Sequence, residues 1–280
     1  MRLKTFSPSM YRTFQQCERK VQYGYIDHLC TVCFRGETQR NEAGEYVCKA
    51  CKQPEVKAPQ LQRGIAYDDA ITAFIRTGGG GAIKEIGSNA TDWTRVLQKL
   101  LPDIANKAAM TAILQLATMY PHGQVKVQEK IWIDAEWNLS PETGRTGTLV
   151  LDVLFLDEES GYAQVLDWKT GSLTKTKTKL KSGALEQYID QLENYALGVL
   201  AKYPKIMHVD TACYFLDDPS PQAKRHDSLS YGRGENYQHV KERWTRILQR
   251  TMATEKFDPT QSWLCGYCPY SKQVGGPCVF

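Results

Sequence analysis

The sequence predicts an α/β fold, in which a small mixed β-sheet is flanked by helices and a short polar module is inserted near the N-terminus. Strand-like segments follow one another in the second half of the chain. Helical patterns precede these segments, separate the last two and follow them. Two Cys-x-x-Cys pairs interrupt the first helical region. The 280 residues suffice for one large domain with an insertion or for two small domains.

The first helix is predicted from a cap and an apolar stripe. Ser7 can cap the helix, and Pro8 suits the first helical position. Three further apolar positions follow Met10 at helical spacing, and they are Phe14, Cys17 and Val21. The other predicted helices cover residues 61–76, 91–119, 185–203 and 237–252.

Alternating or continuous apolar residues predict four strands. The segments are VKVQEKIWI at 125–133, GTLVLDVLFLD at 147–157, AQVLDWK at 163–169 and HVDTACYFLD at 208–217. The second segment is apolar on both faces, which is typical of a strand that is covered on both sides.

Charge and hydropathy indicate a protein of the cytoplasm. The net charge of 35 − 31 = +4 is too small to indicate nucleic acid by itself. No apolar run has the length of a membrane span, and the N-terminus lacks the apolar core of a signal peptide. Five lysines without an acid among them begin at the last residue of the third strand and continue into a solvated loop or a phosphate-contacting loop, and they are Lys169, Lys175, Lys177, Lys179 and Lys181.

Acidic residues stand within three successive strands. Asp167 and Lys169 point to the same side of their strand, roughly 7 Å apart. Asp152 and Glu129 occupy positions where hydrophobic residues are expected. Burying an unpaired carboxylate lowers the stability of the fold, by on the order of several kcal/mol. A buried salt-bridge network is one explanation. Because clustered acids repel one another without a cation, a site for Mg²⁺ or Mn²⁺ is the other.

Four of the nine cysteines have the spacing of a zinc site. Cys30 and Cys33 form one pair, Cys48 and Cys51 form the other, and fourteen residues separate them. Four thiolates suit tetrahedral Zn²⁺. The sequence therefore predicts an inserted zinc ribbon at residues 29–53, whose folding energy comes from the metal. Its role is left open between DNA contact, partner contact and stability.

The strand motifs resemble a known family. LVLDVLFL and QVLDWKTG are similar to the core of the PD-(D/E)XK nuclease superfamily, in particular its RecB-like exonuclease branch, which includes CRISPR-associated members. QCERK in the first helix, QLENY after the third strand and CGYCPYSKQVGGPC near the end also resemble that branch. The resemblance runs from Ser7 to Cys278 without the inserted segment. It implies a restriction-endonuclease-like core and one nuclease domain over residues 1–280.

The resemblance also implies the roles of the acidic residues. Asp152 and Asp167 are expected to hold Mg²⁺ or Mn²⁺ together with the backbone carbonyl of Trp168, while Lys169 orients the attacking water and stabilises negative charge. The branch usually has a metal-binding His where this chain has Asp68, or Asp69 if the alignment shifts by one. A solvated helix face is the alternative for both. The spacing in GTLVLD is longer than the usual Gly-x-x-Asp of the branch.

Three further residues are candidates at the same site. Glu129 is either a group that orients water or Lys169, or a structural acid at the sheet edge. Gln191 and Tyr195 lie on one helix face and are expected to contact DNA or support Lys169. A place in the core is the alternative for Tyr195.

The resemblance implies a second cysteine centre. In several RecB-like nucleases one N-terminal and three C-terminal cysteines hold a structural 4Fe-4S cluster, and the matching residues here are Cys17, Cys265, Cys268 and Cys278. A second zinc ion is the alternative, and Cys17 alone could be a small core residue. Cys213 is expected to be a buried thiol.

The implied activity is that of a metal-dependent DNA exonuclease acting on single strands or duplex ends. An endonuclease with the same site and an inactive DNA- or protein-binding module with structural metals are the alternatives. DNA is the expected partner, with proteins of recombination, replication, repair or CRISPR adaptation as further candidates.

Overall fold

The computed structural model describes most of the predicted elements. The described residues are 3–42, 45–54, 62, 64–66, 68, 69, 72, 123–169, 184–215, 226–232 and 234–280. The predicted helix at 91–119 and the lysines from Lys175 to Lys181 lie outside them. Within the predicted helix at 61–76, the described residues are helical.

Seven strands in the described part of the chain form two sheets. The strands are β1 (Thr38–Arg40), β2 (Tyr46–Cys48), β3 (Gln124–Ile133), β4 (Gly147–Asp157), β5 (Tyr162–Lys169), β6 (His208–Phe215) and β7 (His226–Gly232). The first two pair with each other, and the other five form one sheet in chain order. Neighbours in this sheet are antiparallel except β5 and β6, which are parallel. The sheet is therefore mixed, as the sequence predicts.

Four α-helices are described from end to end. They are α1 (Pro8–Gln16), α2 (Glu18–Val21), α3 (Ala184–Lys202) and α4 (Glu235–Met252). The prediction of Ser7 as the cap of α1 is confirmed, because its Oγ accepts the Met10 N–H at 3.2 Å. A π-helical turn at Gln22–Ile26 and short 3₁₀ segments at Glu142–Gly144, Trp263–Tyr267 and Lys272–Val274 complete the elements.

The prediction of one continuous first helix was wrong. The backbone of Cys17 is extended, with φ −168° and ψ 112°, and it separates α1 from α2. Met10 and Val21 are buried as expected, whereas the Cys17 and Phe14 side chains are only half-buried. Hydrophobic spacing cannot reveal such a break, because α2 resumes one residue later with its own apolar contact.

The parallel pair explains the position of α3. A parallel connection between neighbouring strands needs a long crossover, and α3 lies in the one between β5 and β6. This helix contacts all five strands of the larger sheet. Strands β4 and β5 and the middle of α3 supply much of the core, including Leu151, Phe155, Val165 and Val199. Both strands that carry the candidate acids are thereby fixed by buried neighbours.

The fold comprises two compact units. One consists of Met1–Ala58 with Arg246–Phe280, and the other of Pro59–Thr245. The larger sheet, α3 and Asp68 belong to the second unit, whereas the eight cysteines of the two predicted metal centres belong to the first. No helix among the described residues combines the length and the hydrophobicity needed to cross a membrane.

Gly198 tests the packing of α3 on the sheet. A Cβ atom at this position would lie 2.4 Å from the Leu149 Cδ1 atom in the core. Replacing Gly198 with valine is therefore expected to lower the free energy of unfolding by about 2 kcal/mol, as overpacked cores do. Urea unfolding measures this loss. Gly234→Val is the control, since no described atom beyond the chain neighbours lies within 4 Å of the added Cβ. An equal loss of stability in both variants would contradict this explanation.

Candidate active site and cysteine metal centres

The position of Asp152 depends on a local opening of the sheet. The pairs between β4 and β5 run from Asp157–Tyr162 to Val153–Leu166 and stop there, so Asp152 and Asp167 face each other without a ladder pair. The Asp152 Oδ2 atom instead accepts the N–H of Trp168 at 2.9 Å. The Asp152 carboxylate thus accepts a backbone N–H that lies beyond the last β4–β5 pair, and this hydrogen bond fixes Asp152 where the two strands separate.

Asp167 is almost fully buried and accepts three donors. Its side chain is 1% exposed. The Gln191 Nε2 group donates to Oδ1 at 3.2 Å, and the Cys213 thiol donates to Oδ2 at 3.4 Å. Lys169 forms an ion pair with the same Oδ2. Strand β6 supplies Cys213 directly beside Asp167, because the two residues are paired in the parallel ladder.

Lys169 remains a cation in this environment. Burial lowers its pKa, but the negative charge of Asp167 more than offsets that effect and raises the pKa above its usual value. The Nζ atom lies 5.7 Å from the centroid of the Tyr188 ring, in range for a cation–π contact. Tyr188 shares one face of α3 with Gln191 and Tyr195. Tyr188 was not predicted as a site residue, although its helical spacing from Gln191 and Tyr195 could have indicated it.

Asp68 lies close enough to the two strand carboxylates to interact with them. Gln128 donates from Nε2 to its Oδ2 at 2.8 Å. Its Oδ1 is buried and has no hydrogen-bond partner among the described residues. Burial raises its pKa, as do the charges of Asp69 and Asp167. A buried carboxylate oxygen without a donor is a natural ligand for a cation.

The three carboxylates make the site strongly electronegative. Burial raises the pKa of Asp152 to about 7, and the charges of Asp167 and Asp68 contribute in the same direction. Asp68 comes from a helical segment, Asp152 from β4 and Asp167 from β5. The charges of acids from three elements of the second unit therefore act on one another, which fits a site for a divalent cation.

Gln191 and Tyr195 support this cluster from α3. The Gln191 Nε2 group donates to the Tyr195 hydroxyl at 2.6 Å as well as to Asp167. Tyr195 is 5% exposed, and burial raises the pKa of its phenol well above the usual range. The amide of Gln191 is thus held between a neutral phenol and the Asp167 carboxylate. DNA contact by Tyr195 is not compatible with its burial in this structure.

The structure does not bring Glu129 into the carboxylate cluster. Glu129 accepts hydrogen bonds from Lys202 Nζ at 2.6 Å and from the Tyr203 hydroxyl at 2.5 Å, both at the C-terminal end of α3. Burial raises its pKa, but these donors reverse the effect and leave the pKa below its usual value. These contacts place Glu129 at the edge strand of the sheet, beside Lys202 and Tyr203.

The four cysteines of the inserted segment converge. The Sγ atoms of Cys30 and Cys51 are 3.9 Å apart and those of Cys33 and Cys48 are 3.6 Å apart, and all four lie within 4.8 Å of one another. Zn–S bonds of about 2.3 Å in a tetrahedron place sulfur atoms about 3.8 Å apart. The arrangement therefore fits one tetrahedral metal ion.

Both cysteine pairs have the same local backbone. Two N–H groups point to the first sulfur of each pair, from Val32 and Cys33 to Cys30 and from Ala50 and Cys51 to Cys48, at 3.3–3.5 Å. Phe34 and Lys52, which follow the two pairs, have positive φ values of 53° and 61°. Such donors stabilise thiolates. The backbone N–H of Arg35 lowers the pKa of Cys33 to about 6.

Comparison with known families identifies the chain. The family model of the PD-(D/E)XK nuclease superfamily matches residues 5–273. The chain belongs to the PD-(D/E)XK nuclease superfamily. No curated protein matches its sequence. Membership confirms the predicted restriction-endonuclease-like α/β core and assigns the chain to a superfamily of nucleases that use divalent metals.

The second cysteine set of this PD-(D/E)XK chain draws on both chain ends within the first unit. Thr260 contacts two of its members, because its N–H donates to Cys17 Sγ at 3.5 Å and its carbonyl accepts from Cys265 Sγ at 3.8 Å. Burial raises the pKa of Cys268, and the charges of Cys17 and Cys278 raise it further. Thr260 thus connects Cys17 with Cys265, and Cys17 and Cys278 lie near enough to Cys268 for their charges to act on it.

The raised pKa of Asp152 predicts how stability depends on pH without metal. Between about pH 4 and pH 7 the native carboxyl keeps its proton while the unfolded one has lost it, so this contribution to stability falls as pH rises. Asp152→Asn removes the penalty and can still accept the Trp168 N–H. At pH 8 we expect this variant to exceed wild type in unfolding free energy by roughly 2 kcal/mol.

Denaturant unfolding in EDTA measures that difference from pH 5 to pH 8. The advantage of Asp152→Asn should shrink towards pH 5. A difference that stays constant over this range would contradict the assignment of a raised pKa to Asp152.

Proposed function

We propose that this protein is a metal-dependent deoxyribonuclease that hydrolyses phosphodiester bonds at DNA ends. The observation that carries the proposal is the placement of Asp152 and Asp167 opposite each other on β4 and β5, with the Lys169 ammonium on Asp167 and the charge of Asp68 acting on Asp152. The site favours a metal over a buried salt-bridge network, because Lys169 pairs with Asp167 and, among the described residues, the Asp68 Oδ1 atom has no hydrogen-bond partner.

The donor set suits Mg²⁺ or Mn²⁺. Asp152 and Asp167 would hold the cation with Asp68, and the carbonyl of Trp168 is a further proposed ligand. A bound cation supplies two things here, a lower pKa for an attacking water and neutralisation of charge on the scissile phosphate. The Asp68 Oδ1 atom, which has no donor among the described residues, and the raised pKa of Asp152 both support a bound cation here.

The residues around the carboxylates have separate tasks in this proposal. Lys169 stays protonated and stabilises the negative charge that develops on the phosphate oxygens. Gln191 fixes the rotation of Asp167 by donating to Oδ1, so that its other oxygen faces Lys169. The Trp168 N–H fixes Asp152 in the same way. These contacts prepare the site before DNA arrives.

End-labelled linear DNA and covalently closed circular DNA distinguish the possible activities. Wild type with Mg²⁺ or Mn²⁺ is expected to degrade the linear DNA from its ends, to spare the circle, and to stop in EDTA. Asp152→Ala is expected to be inactive. Cutting of the circle would instead indicate an endonuclease. Binding of DNA without cleavage, by both wild type and variant, would indicate an inactive module and contradict the proposal.

The two cysteine centres are proposed to be structural. Residues 29–53 would form a zinc ribbon held by Cys30, Cys33, Cys48 and Cys51, while Cys17, Cys265, Cys268 and Cys278 would hold a 4Fe-4S cluster that ties the first helices to the C-terminal tail. The sulfur distances of the first set fit one zinc ion, and the resemblance to RecB-like nucleases supports the 4Fe-4S assignment of the second set.

Replacing Cys17 with serine tests the cluster. Anaerobically purified wild type is expected to contain iron and to absorb visible light, and Cys17→Ser is expected to lose most of that absorption while its zinc content stays unchanged. Cys213→Ser is the matched control, because Cys213 lies in the other unit and contacts Asp167. A second equivalent of zinc in place of iron would contradict the iron–sulfur assignment.

A further inference from the structure

Gln128 has an unusual backbone for a residue inside a strand. Its φ is +51°, whereas a side chain with a Cβ normally avoids this region at a cost of about 1–2 kcal/mol. The neighbouring residues Val127 and Glu129 are paired with Val153 and Leu151 of β4. Gln128 stands opposite Asp152, and the register has no pair at that position. The irregularity of β3 therefore coincides with a candidate metal ligand.

The side chain of Gln128 makes a specific contact. Its Nε2 group donates to the Asp68 Oδ2 at 2.8 Å. The contact connects β3 to a helical residue 60 positions earlier in the chain. With Oδ2 occupied by the amide, the buried Oδ1 is the carboxylate oxygen that lacks a donor among the described residues. The amide thus fixes which oxygen of Asp68 is available.

We propose that Gln128 is a positioning residue that orients Asp68 as a ligand of the catalytic cation. This inference rests on the proposed function. Hydrogen-bond partners of metal ligands fix the orientation of the ligand and raise its affinity for the metal. A local backbone strain that is kept beside such a ligand is typical of functional sites. A regular strand residue at this position would pair with β4. The positive φ of Gln128 instead directs its amide to Asp68.

Two variants separate this role from a general effect on folding. Gln128→Leu keeps a similar volume and removes the donor, whereas Gln128→Gly also removes the donor but accepts a positive φ without strain. Both are expected to bind Mn²⁺ about 10- to 100-fold more weakly than wild type. The Mn²⁺ dissociation constant is measured from the electron paramagnetic resonance of the free ion, which does not depend on cleavage. Excess Mn²⁺ should restore most of the cleavage rate.

The same strand offers a matched control. Gln124 is exposed on β3, about 13 Å from Gln128 along the strand. Gln124→Leu is expected to bind Mn²⁺ as wild type does. If Gln128→Leu and Gln128→Gly, both folded by circular dichroism, keep the wild-type dissociation constant, the inference is overturned. If Gln128→Leu does not fold, Gln128→Gly decides the question alone.

A double-mutant cycle locates the effect on Asp68. In an Asp68→Asn background, Gln128→Leu is expected to weaken Mn²⁺ binding no further, because the oriented carboxylate is already absent. An equal additional loss in that background would overturn the inference. Asp152→Asn separates the test of the proposed function from the test of the role of Gln128. If it leaves Mn²⁺ binding unchanged, the proposed function fails, whereas normal binding by the Gln128 variants alone removes only the role of Gln128.

Discussion

Replacing Lys169 with methionine is expected to reduce DNA cleavage by about 10²–10³-fold, which is the usual effect of removing one group that stabilises transition-state charge. Methionine keeps much of the side-chain length without the ammonium. The Lys169 side chain is 18% exposed and forms an ion pair with Asp167. Its ammonium group is therefore held beside the carboxylates. Loss of that charge leaves the developing negative charge on the phosphate without its counter-ion.

Binding of Mn²⁺ by Lys169→Met is expected to persist or to tighten. The Lys169 ammonium occupies the Asp167 Oδ2, and its removal frees this oxygen. Cleavage under single-turnover conditions and Mn²⁺ titration together separate the two effects. A variant that lost metal binding in proportion to cleavage would show that Lys169 organises the site and does not act on the phosphate.

Lys202 provides the matched control for that substitution. It is also ion-paired and partly buried, with 28% of its side chain exposed, but its partner is Glu129 outside the carboxylate cluster. Lys202→Met is therefore expected to change the cleavage rate by less than about threefold at a temperature where the protein stays folded. A loss comparable to that of Lys169→Met would indicate that any buried ion pair of this unit affects cleavage through stability.

Replacing Cys48 with alanine is expected to unfold the segment around the four clustered cysteines. Cys48 is fully buried, and its sulfur accepts the N–H groups of Ala50 and Cys51. β1 and β2 have three residues each and form too small a sheet to hold together without a metal. Structural zinc contributes about 10–16 kcal/mol of apparent binding energy in small modules, and a missing ligand removes much of it.

Elemental analysis and amide hydrogen exchange measure this outcome. Wild type is expected to carry about one zinc ion at this site. Cys48→Ala should lose it, and exchange should accelerate in residues 29–42 and 45–54. Cys213→Ser is the control and should keep its zinc and its protection. Slow exchange in zinc-free Cys48→Ala would show that the ribbon folds without metal.

The sequence predicts the parts of the site that depend on spacing. Asp167 and Lys169 are two residues apart on one strand, and Asp152 interrupts an apolar run, so alternation alone makes them stand out. The two Cys-x-x-Cys pairs give their ligand set in the same way. In each case the candidate residues are predicted either by their closeness in sequence or by a polar residue within a hydrophobic pattern.

Contacts between distant residues explain what the sequence could not predict. Glu129 breaks the pattern of β3 much as Asp152 breaks that of β4, but its partner Lys202 is 73 positions away. Gln128 looks like an ordinary strand residue, and only the fold places it against Asp68. Strand β7, with the sequence HDSLSYG, has few apolar residues and forms because the edge of β6 offers hydrogen bonds. In these places tertiary pairing overrides local preference.

The opening between β4 and β5 gives the molecule a built-in reporter. The amide proton of Trp168 has the Asp152 carboxylate as its acceptor, so its chemical shift and its solvent exchange follow the state of that one side chain. Titration with a divalent cation, or with acid, can thus be followed at a single backbone resonance. The missing β4–β5 pair therefore provides a backbone signal that reports binding of a cation at the site.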